Sequence, residues 1–353
     1  MGKAWLATIL ADPDVELVGV VDLDLATAEA ALVAAGVPDV PTGRDVVEVA
    51  QRTGAEAVVN VTVPQAHHPV TTAALFAGFP VLGEKPVAST VAQGLSLAAA
   101  SEVSGQPFVV SQSRRYNPHV EEFRAQAAVL GDLGSLSTEF FKAPHFGGFR
   151  EEMAQPLLVD MAIHQFDLAR YLLAAEPVSV YCESWNPSWS WYAGDAAASA
   201  VFEMSSGARY TFTGSWCAPG VETSWNGSWR LSGSAGSAVW NGDDAPVLDA
   251  PGSPAAFVDP GDGIAGSLAA FTTFLRGEGE FSGEVHDNVL SLAMVEAAVE
   301  SAASGARVRI DDVLERSYTT ALAEEERDDV RARLESWTSV RAALTGAGTA
   351  TAV

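Results

Sequence analysis

Two short stretches carry side chains whose types and spacing suit the handling of protons and charge. The first is Glu84-Lys85-Pro86, which follows Gly78-Phe79-Pro80-Val81-Leu82-Gly83. It reads as an apolar helix ending near Ala77, a glycine stop, a short buried strand, and an ammonium group at the strand's carboxyl end. Open parallel α/β sheets bind ligands just beyond those ends, so Lys85 is placed to meet one. The sequence equally allows a surface lysine paired with Glu84. The second stretch is Leu157-Leu158-Val159-Asp160-Met161-Ala162-Ile163-His164-Gln165-Phe166-Asp167. On a helix Asp160 and His164 are i,i+4 neighbours sharing a face, and Asp167 falls near it. A carboxylate one turn from an imidazole orients it, raises its basicity and supports proton transfer. The alternative is a histidine satisfied in a helix packing face.

Alternating elements are expected to position the first stretch. Helix-like sequence runs from Met1 to about Ala11, and Asp12-Pro13-Asp14 makes a turn. Val15 to Val21 is an apolar strand with Asp22 at its end. In a dinucleotide fold, Gly-x-Gly-x-x-Gly lies between strand one and the first helix, and an acid ends strand two. Asp22 lies 20 residues after Gly2, the spacing expected if Gly2 is the last of the three glycines. The first strand and first two glycines are then absent, and a shortened start is expected. Helices follow at Leu23–Ala35 and Arg44–Arg52, then a strand at Ala57–Val61, the helix Ala66–Ala77 and the strand leading to Glu84. The helix Thr90–Ser104 and the strand Pro107–Gln112 complete the run. Such βα alternation argues for a doubly wound, Rossmann-like parallel sheet whose strands are buried on both faces.

The domain edge is expected near Ser113, which gives a dinucleotide-binding domain over 1–113. An α+β domain with a largely antiparallel open sheet follows over 114–345, with a frayed tail at 346–353. Its strands are expected at 135–142, 177–185, 195–204, 208–216, 225–232 and 236–241, with helices at Pro156–Leu173, 264–276, 284–304 and 311–345. Most of the nine tryptophans fall there, as sheet packing or as platforms that stack on sugar.

Composition narrows the function classes. With 20 basic and 45 acidic residues the formal charge is −25, which repels nucleic acid and anionic membranes. No apolar run is long enough to span a bilayer and no signal peptide opens the chain. Two cysteines, Cys182 and Cys217, suit a reducing, cytoplasmic setting and small buried packing roles. The six histidines and two cysteines form no zinc-spaced cluster, so no metal is expected. His68, His119 and His286 have only bland readings. Lys142 and His145 belong to a solvated loop or to a pocket rim.

The stretch Val58-Val59-Asn60-Val61-Thr62-Val63-Pro64-Gln65-Ala66-His67-His68, with the helix, glycine, strand and Glu84-Lys85-Pro86 after it, resembles the Gfo/Idh/MocA family. These nicotinamide-dependent sugar dehydrogenases include inositol dehydrogenase and glucose–fructose oxidoreductase. Asp160-x-x-x-His164, Arg115-Tyr116-Asn117-Pro118 and Gly131-Asp132-Leu133-Gly134 extend the likeness. What the resemblance implies is an NAD domain holding its cofactor through Gly2, Asp22, Thr62, His67, Glu84, Lys85 and Pro86, with NADP disfavoured. It also implies Lys85, Asp160 and His164 as the catalytic group, Arg115 and Tyr116 at the substrate, and a homodimer or homotetramer formed through the open sheet. His67 has a second reading as a solvent-facing residue at a helix start. The expected reaction is hydride transfer between a sugar or polyol carbon and the cofactor. His164 takes the hydroxyl proton, Asp160 orients it and Lys85 stabilises the developing alkoxide. Two rivals share the resemblance: a redox-neutral enzyme that cleaves or epimerises glycosides with held NAD, and a non-catalytic NAD- or sugar-binding regulator.

Overall fold

A computed structural model describes residues 1–346. The first elements are α1 (Gly2–Ala11), β1 (Val20–Val21), α2 (Leu25–Ala34), β2 (Thr42–Gly43), α3 (Val46–Thr53), β3 (Val58–Asn60), α4 (Pro64–Phe76), β4 (Val81–Glu84), α5 (Val91–Ser104) and β5 (Phe108–Ser111). Next come α6 (Pro118–Ala127), β6 (Leu133–Phe141), a π-helical turn at Leu157–Met161, α7 (Ala162–Leu173), β7 (Pro177–Trp185), β8 (Ala197–Met204) and β9 (Arg209–Ser215). The last are β10 (Ser228–Gly233), β11 (Gly236–Trp240), β12 (Val247–Asp249), α8 (Gly263–Leu275), α9 (Val285–Ser304), β13 (Val308–Arg309), α10 (Ile310–Glu324), α11 (Asp328–Glu335) and α12 (Val340–Gly346). Among the described residues no helix is long and apolar enough to cross a membrane.

Contacts divide the chain into two units. The first holds residues 1–116 and 261–289 and, among the described residues, 317–346; the second holds 117–260 and 290–316. A single division near Ser113 leaves out the later segments that return to the first unit. Of the expected tail, only Gly346 lies inside the described residues.

Local chemistry starts and stops the helices of the first unit where the sequence says it should. Asp24 caps α2 by accepting from Ala26 N and Thr27 N, and Asp45 caps α3 by accepting from Glu48 N. Gly54 and Gly105 end α3 and α5 in the left-handed region, which costs glycine little. The parallel ladder β3–β4–β5 is in register Asn60↔Gly83↔Val110, and every residue of β4 and β5 is buried. A separate parallel pair joins β1 to β2. The strand expected over 15–21 is therefore cut to Val20–Val21. Val15 and Leu17 reach the core beside Trp5, Leu82, Val109, Leu268 and Phe271, but their backbone joins no ladder.

The second unit is an eight-stranded sheet in the order β12-β11-β10-β6-β9-β8-β7-β13. Only β6 and β9 pair parallel; the other pairs run antiparallel. One face is apolar and packs on α7, whose Phe166 meets Phe202, Tyr210 and Phe212 at 4.8, 6.2 and 5.5 Å. The parallel and antiparallel sheets are those expected. β12 and β13 were not expected, being too short to show an alternating pattern. The helix expected over Pro156–Leu173 begins as a wider π turn. The helix expected over 311–345 is three helices, with Ser339 Oγ accepting from Ala342 N at the start of the last.

His286 anchors the returning segments in the first unit. It is buried, with Nδ1 2.7 Å from Glu284 Oε1 and Nε2 3.3 Å from Glu102 Oε1. Arg333 donates to both Glu102 oxygens and Trp337 Nε1 to one. Burial alone lowers the imidazole's proton affinity, but the two carboxylates outweigh it and raise the pKa to about 9. Burial raises Glu102, and His286 and Arg333 outweigh that, holding it at about 2. His286 therefore gives stability that is fully present below its ordinary 6.5 and lost as pH rises through about 9. Glu102 gives stability present above about 4.5 and lost as pH falls through about 2. A Tm–pH profile should decline between pH 6.5 and 9. His286→Gln should flatten that limb, and an unchanged limb would refute the assignment.

Candidate functional site

The carboxyl ends of β3 and β4 carry a bonded scaffold within the first unit. Glu84 is buried and accepts from Trp5 Nε1 at 2.7 Å and from Lys85 N at 3.2 Å. Charge-assisted bonds of this kind are the stronger ones. Asn60 Oδ1 accepts from Thr62 N at 3.2 Å and Thr62 Oγ1 at 2.7 Å, while its Nδ2 donates to Thr71 Oγ1 at 3.0 Å. His67 is buried, not solvent-facing, and its ring spans two carbonyls: Nδ1 lies 2.7 Å from Pro86 O and Nε2 3.0 Å from Thr62 O. The histidine thus braces the Lys85–Pro86 segment against the loop after β3. Lys85 itself is half-buried at the end of a fully buried strand. Gly83 must be glycine or nearly so, since a Cβ there would sit 2.9 Å from the Phe108 ring.

This scaffold predicts a stability cost. Trp5→Phe keeps an aromatic ring but removes the indole N–H and leaves a buried carboxylate oxygen with one bond fewer, a loss of about 1–3 kcal/mol in addition to that of the smaller ring's packing. Denaturant titration checks it; a loss below a few tenths would mean that water replaces the indole.

Asp22 lies exposed just beyond β1, with Oδ1 accepting from Asp24 N at 2.8 Å. Gly2 opens α1, and nothing stands within 4 Å of where its Cβ would be. Both fit a dinucleotide. The carboxylate offers acceptors to ribose hydroxyls, and N–H groups in the first turn of a helix are of the kind that hold phosphate. The structure also brings in a residue missed from the sequence. Arg44 Nε donates to Leu23 O at 3.1 Å, which sets a guanidinium in the loop after Asp22. No motif marks Arg44, because only the β1–β2 pairing carries it there.

Arg115 and Tyr116, expected at the substrate, make packing contacts within the first unit. Arg115 is buried, donating to Asp287 Oδ2 at 2.9 Å and Ser282 Oγ at 2.8 Å. Tyr116 OH donates to Ser282 O at 3.4 Å.

In the second unit, Asp160 sits in the π turn and His164 in the first turn of α7. π turns recur at functional sites, and this one leads directly into the helical turn that carries His164. Asp160 Oδ2 accepts from Arg150 Nε at 2.7 Å, another partner that no sequence spacing announces. Asp167 is turned to structure: buried, it accepts from Ser291 Oγ at 2.8 Å. Beside it Arg170 is buried and clamps Glu176 through two bonds of 2.7 and 2.9 Å. Lys142 is buried and ion-paired to Glu222 Oε2 at 2.9 Å, whose carboxyl it holds below the usual range. His145 is exposed and stacks on Trp191 at 3.8 Å.

Residues 1–112 match the family described as "Oxidoreductase family, NAD-binding Rossmann fold", and residues 119–239 match the "GFO/IDH/MocA C-terminal domain". The uncharacterized protein y4oX of Sinorhizobium fredii is 26% identical over 89% of this chain and 94% of its own. Inositol 2-dehydrogenase 4 of Saccharopolyspora erythraea is 32% identical over 46% of this chain, and the match spans 48% of that protein. Among solved structures, an oxidoreductase from Agrobacterium radiobacter in complex with NAD+, L-tartaric acid and magnesium superposes with a TM-score of 0.77. It is 19% identical over 89% of this chain and 96% of that one, which speaks for the fold.

Proposed function

We propose, since the chain belongs to the Gfo/Idh/MocA family of NAD-binding oxidoreductases, that it oxidises a hydroxyl-bearing carbon of a sugar, polyol or sugar derivative. The observation that carries this reading is Lys85 at the carboxyl end of β4, with Glu84 pinned by Trp5 and Pro86 braced by His67. An ammonium group on so fixed a backbone suits a fixed task.

Gly2, Asp22, Thr62 and the Glu84–Pro86 segment would hold the dinucleotide. When bound, its nicotinamide supplies the hydride acceptor that no side chain can be. In our reading His164 removes the hydroxyl proton as general base, and Asp160, held by Arg150, orients it. Lys85 donates hydrogen bonds to the reacting oxygen and stabilises the negative charge that develops there. Each side chain thus handles a proton or a charge. Oligomerisation through the open face of the second unit's sheet, as a dimer or tetramer, and a cytoplasmic setting belong to the same proposal.

A screen of sugars and polyols with NAD, read by absorbance of the reduced nicotinamide, tests it. Steady release of reduced cofactor with at least one substrate is expected. Turnover of glycosides without such release favours the redox-neutral rival, and binding without any turnover favours a regulator.

The cofactor preference follows from Asp22. Its exposed carboxylate repels a 2′-phosphate, and like charges at about 4 Å cost on the order of 1–4 kcal/mol near a protein surface. NAD should exceed NADP in kcat/KM by about tenfold or more, and Asp22→Ala should narrow the gap. Arg44 is a cation that the structure brings to this loop. Equal use of NADP would mean that Arg44, not Asp22, decides the choice.

A further inference from the structure

The aromatic residues of the second unit fall into two groups. Trp229 and Trp240 are buried in the sheet's packed face, with Trp216 buried beside its end. Phe146, Phe149 and Trp225 remain 47%, 59% and 45% exposed. They are nevertheless close together. Phe146 lies 5.4 Å from Trp216 and 6.4 Å from Trp225, and the Arg150 guanidinium lies over both Phe146 and Phe149, at 5.4 and 4.8 Å. Monomers rarely keep contiguous apolar surface in water without a use.

The rim of this strip is charged. Arg150 is ion-paired to Asp160 at 2.7 Å. Lys142 places its ammonium 5.2 Å from the Trp225 ring and pairs with Glu222 at 2.9 Å. Ring faces interleaved with carboxylates and cations suit a pyranose, whose C–H face needs an apolar platform and whose hydroxyls need charged partners.

We propose that Phe146, Phe149 and Trp225 form a second sugar subsite, which holds a pyranose ring joined to the ring that is oxidised. The preferred substrate is then a glycoside rather than a free monosaccharide. The proposal rests on the sugar-oxidation reading and deepens it. Arg150 supplies the link, because it stacks on the strip and bonds Asp160, the residue assigned to orient the base. One substrate can therefore occupy both places.

The test measures kcat/KM with NAD for glucose, galactose, cellobiose, maltose and lactose, in the wild type and in F146A and W225A. The wild type should prefer one disaccharide over its component sugars by about tenfold, the worth of roughly 1.4 kcal/mol of ring stacking. F146A and W225A should each remove most of that preference and leave monosaccharide kinetics within about twofold. Equal rates for disaccharides and monosaccharides in the wild type would overturn the subsite and leave sugar oxidation standing. A preference that survives both substitutions would overturn it too. If no sugar reduces NAD, the sugar-oxidation reading has failed. The subsite is then judged by tryptophan fluorescence titration with the same disaccharides on the NAD complex: saturable quenching lost in W225A supports it, and none in the wild type overturns it. A change of oligomeric mass in either variant would assign the strip to contact between copies and overturn the proposal.

Discussion

Lys85→Ala lowers kcat by about 100-fold or more while NAD still binds. The size follows from what a fixed donor does at a developing oxyanion, where a single donor is worth about 2.7–4 kcal/mol. The backbone that carries Lys85 is set by groups that the substitution leaves alone: the Trp5–Glu84 bond, the His67–Pro86 contact and the buried β4 ladder. The fold should therefore survive, and Tm should change little. The loss should fall on kcat more than on KM, because the interaction strengthens as charge develops. Lys85→Arg keeps the charge but not the compact ammonium, and should recover only part of the rate. If Lys85→Ala turns over at near wild-type rates, Lys85 is a surface lysine beside Glu84 and the proposed site is wrong.

His164→Ala is expected to cost about 100-fold or more for a different reason, the loss of a positioned proton acceptor. Exogenous imidazole should restore part of the rate, which a purely structural histidine would not allow. Asp160→Asn should show a smaller loss, because the amide keeps the shape but loses the charge that faces Arg150. An His164→Ala variant that keeps wild-type kcat with intact Tm would remove the base from the account.

How much of this was legible in the chain depends on the range of the signal. The βα alternation was legible because caps and glycine stops are local: Asp24, Asp45, Gly54 and Gly105 act within a turn of themselves. The strand ending at Glu84 was legible because a short apolar run between Gly78 and Pro86 suits a strand covered on both faces, and all four of its residues are buried. Strand pairing is not local. Val15–Gly19 is as apolar as a strand, yet only Val20 and Val21 find ladder partners. Tertiary partners left no local trace. Nothing in the spacing says that His67 spans two carbonyls, that Arg150 reaches Asp160, or that residues 261–289 return to the first unit. His286 is the sharpest case. Glu284 stands two residues away in sequence, but the second carboxylate, Glu102, is brought to it only by the packing of α5.

The central claim is that this chain moves a hydride from a sugar or polyol carbon to NAD. The most direct test incubates the enzyme with NAD and perdeuterated glucose, galactose or myo-inositol, and measures the mass of the reduced cofactor. The account predicts that one deuterium atom, transferred as deuteride, appears in the reduced nicotinamide for each sugar oxidised, with a primary isotope effect on kcat/KM. Reduced cofactor without deuterium, or none formed with any sugar or polyol while NAD binds, would contradict it.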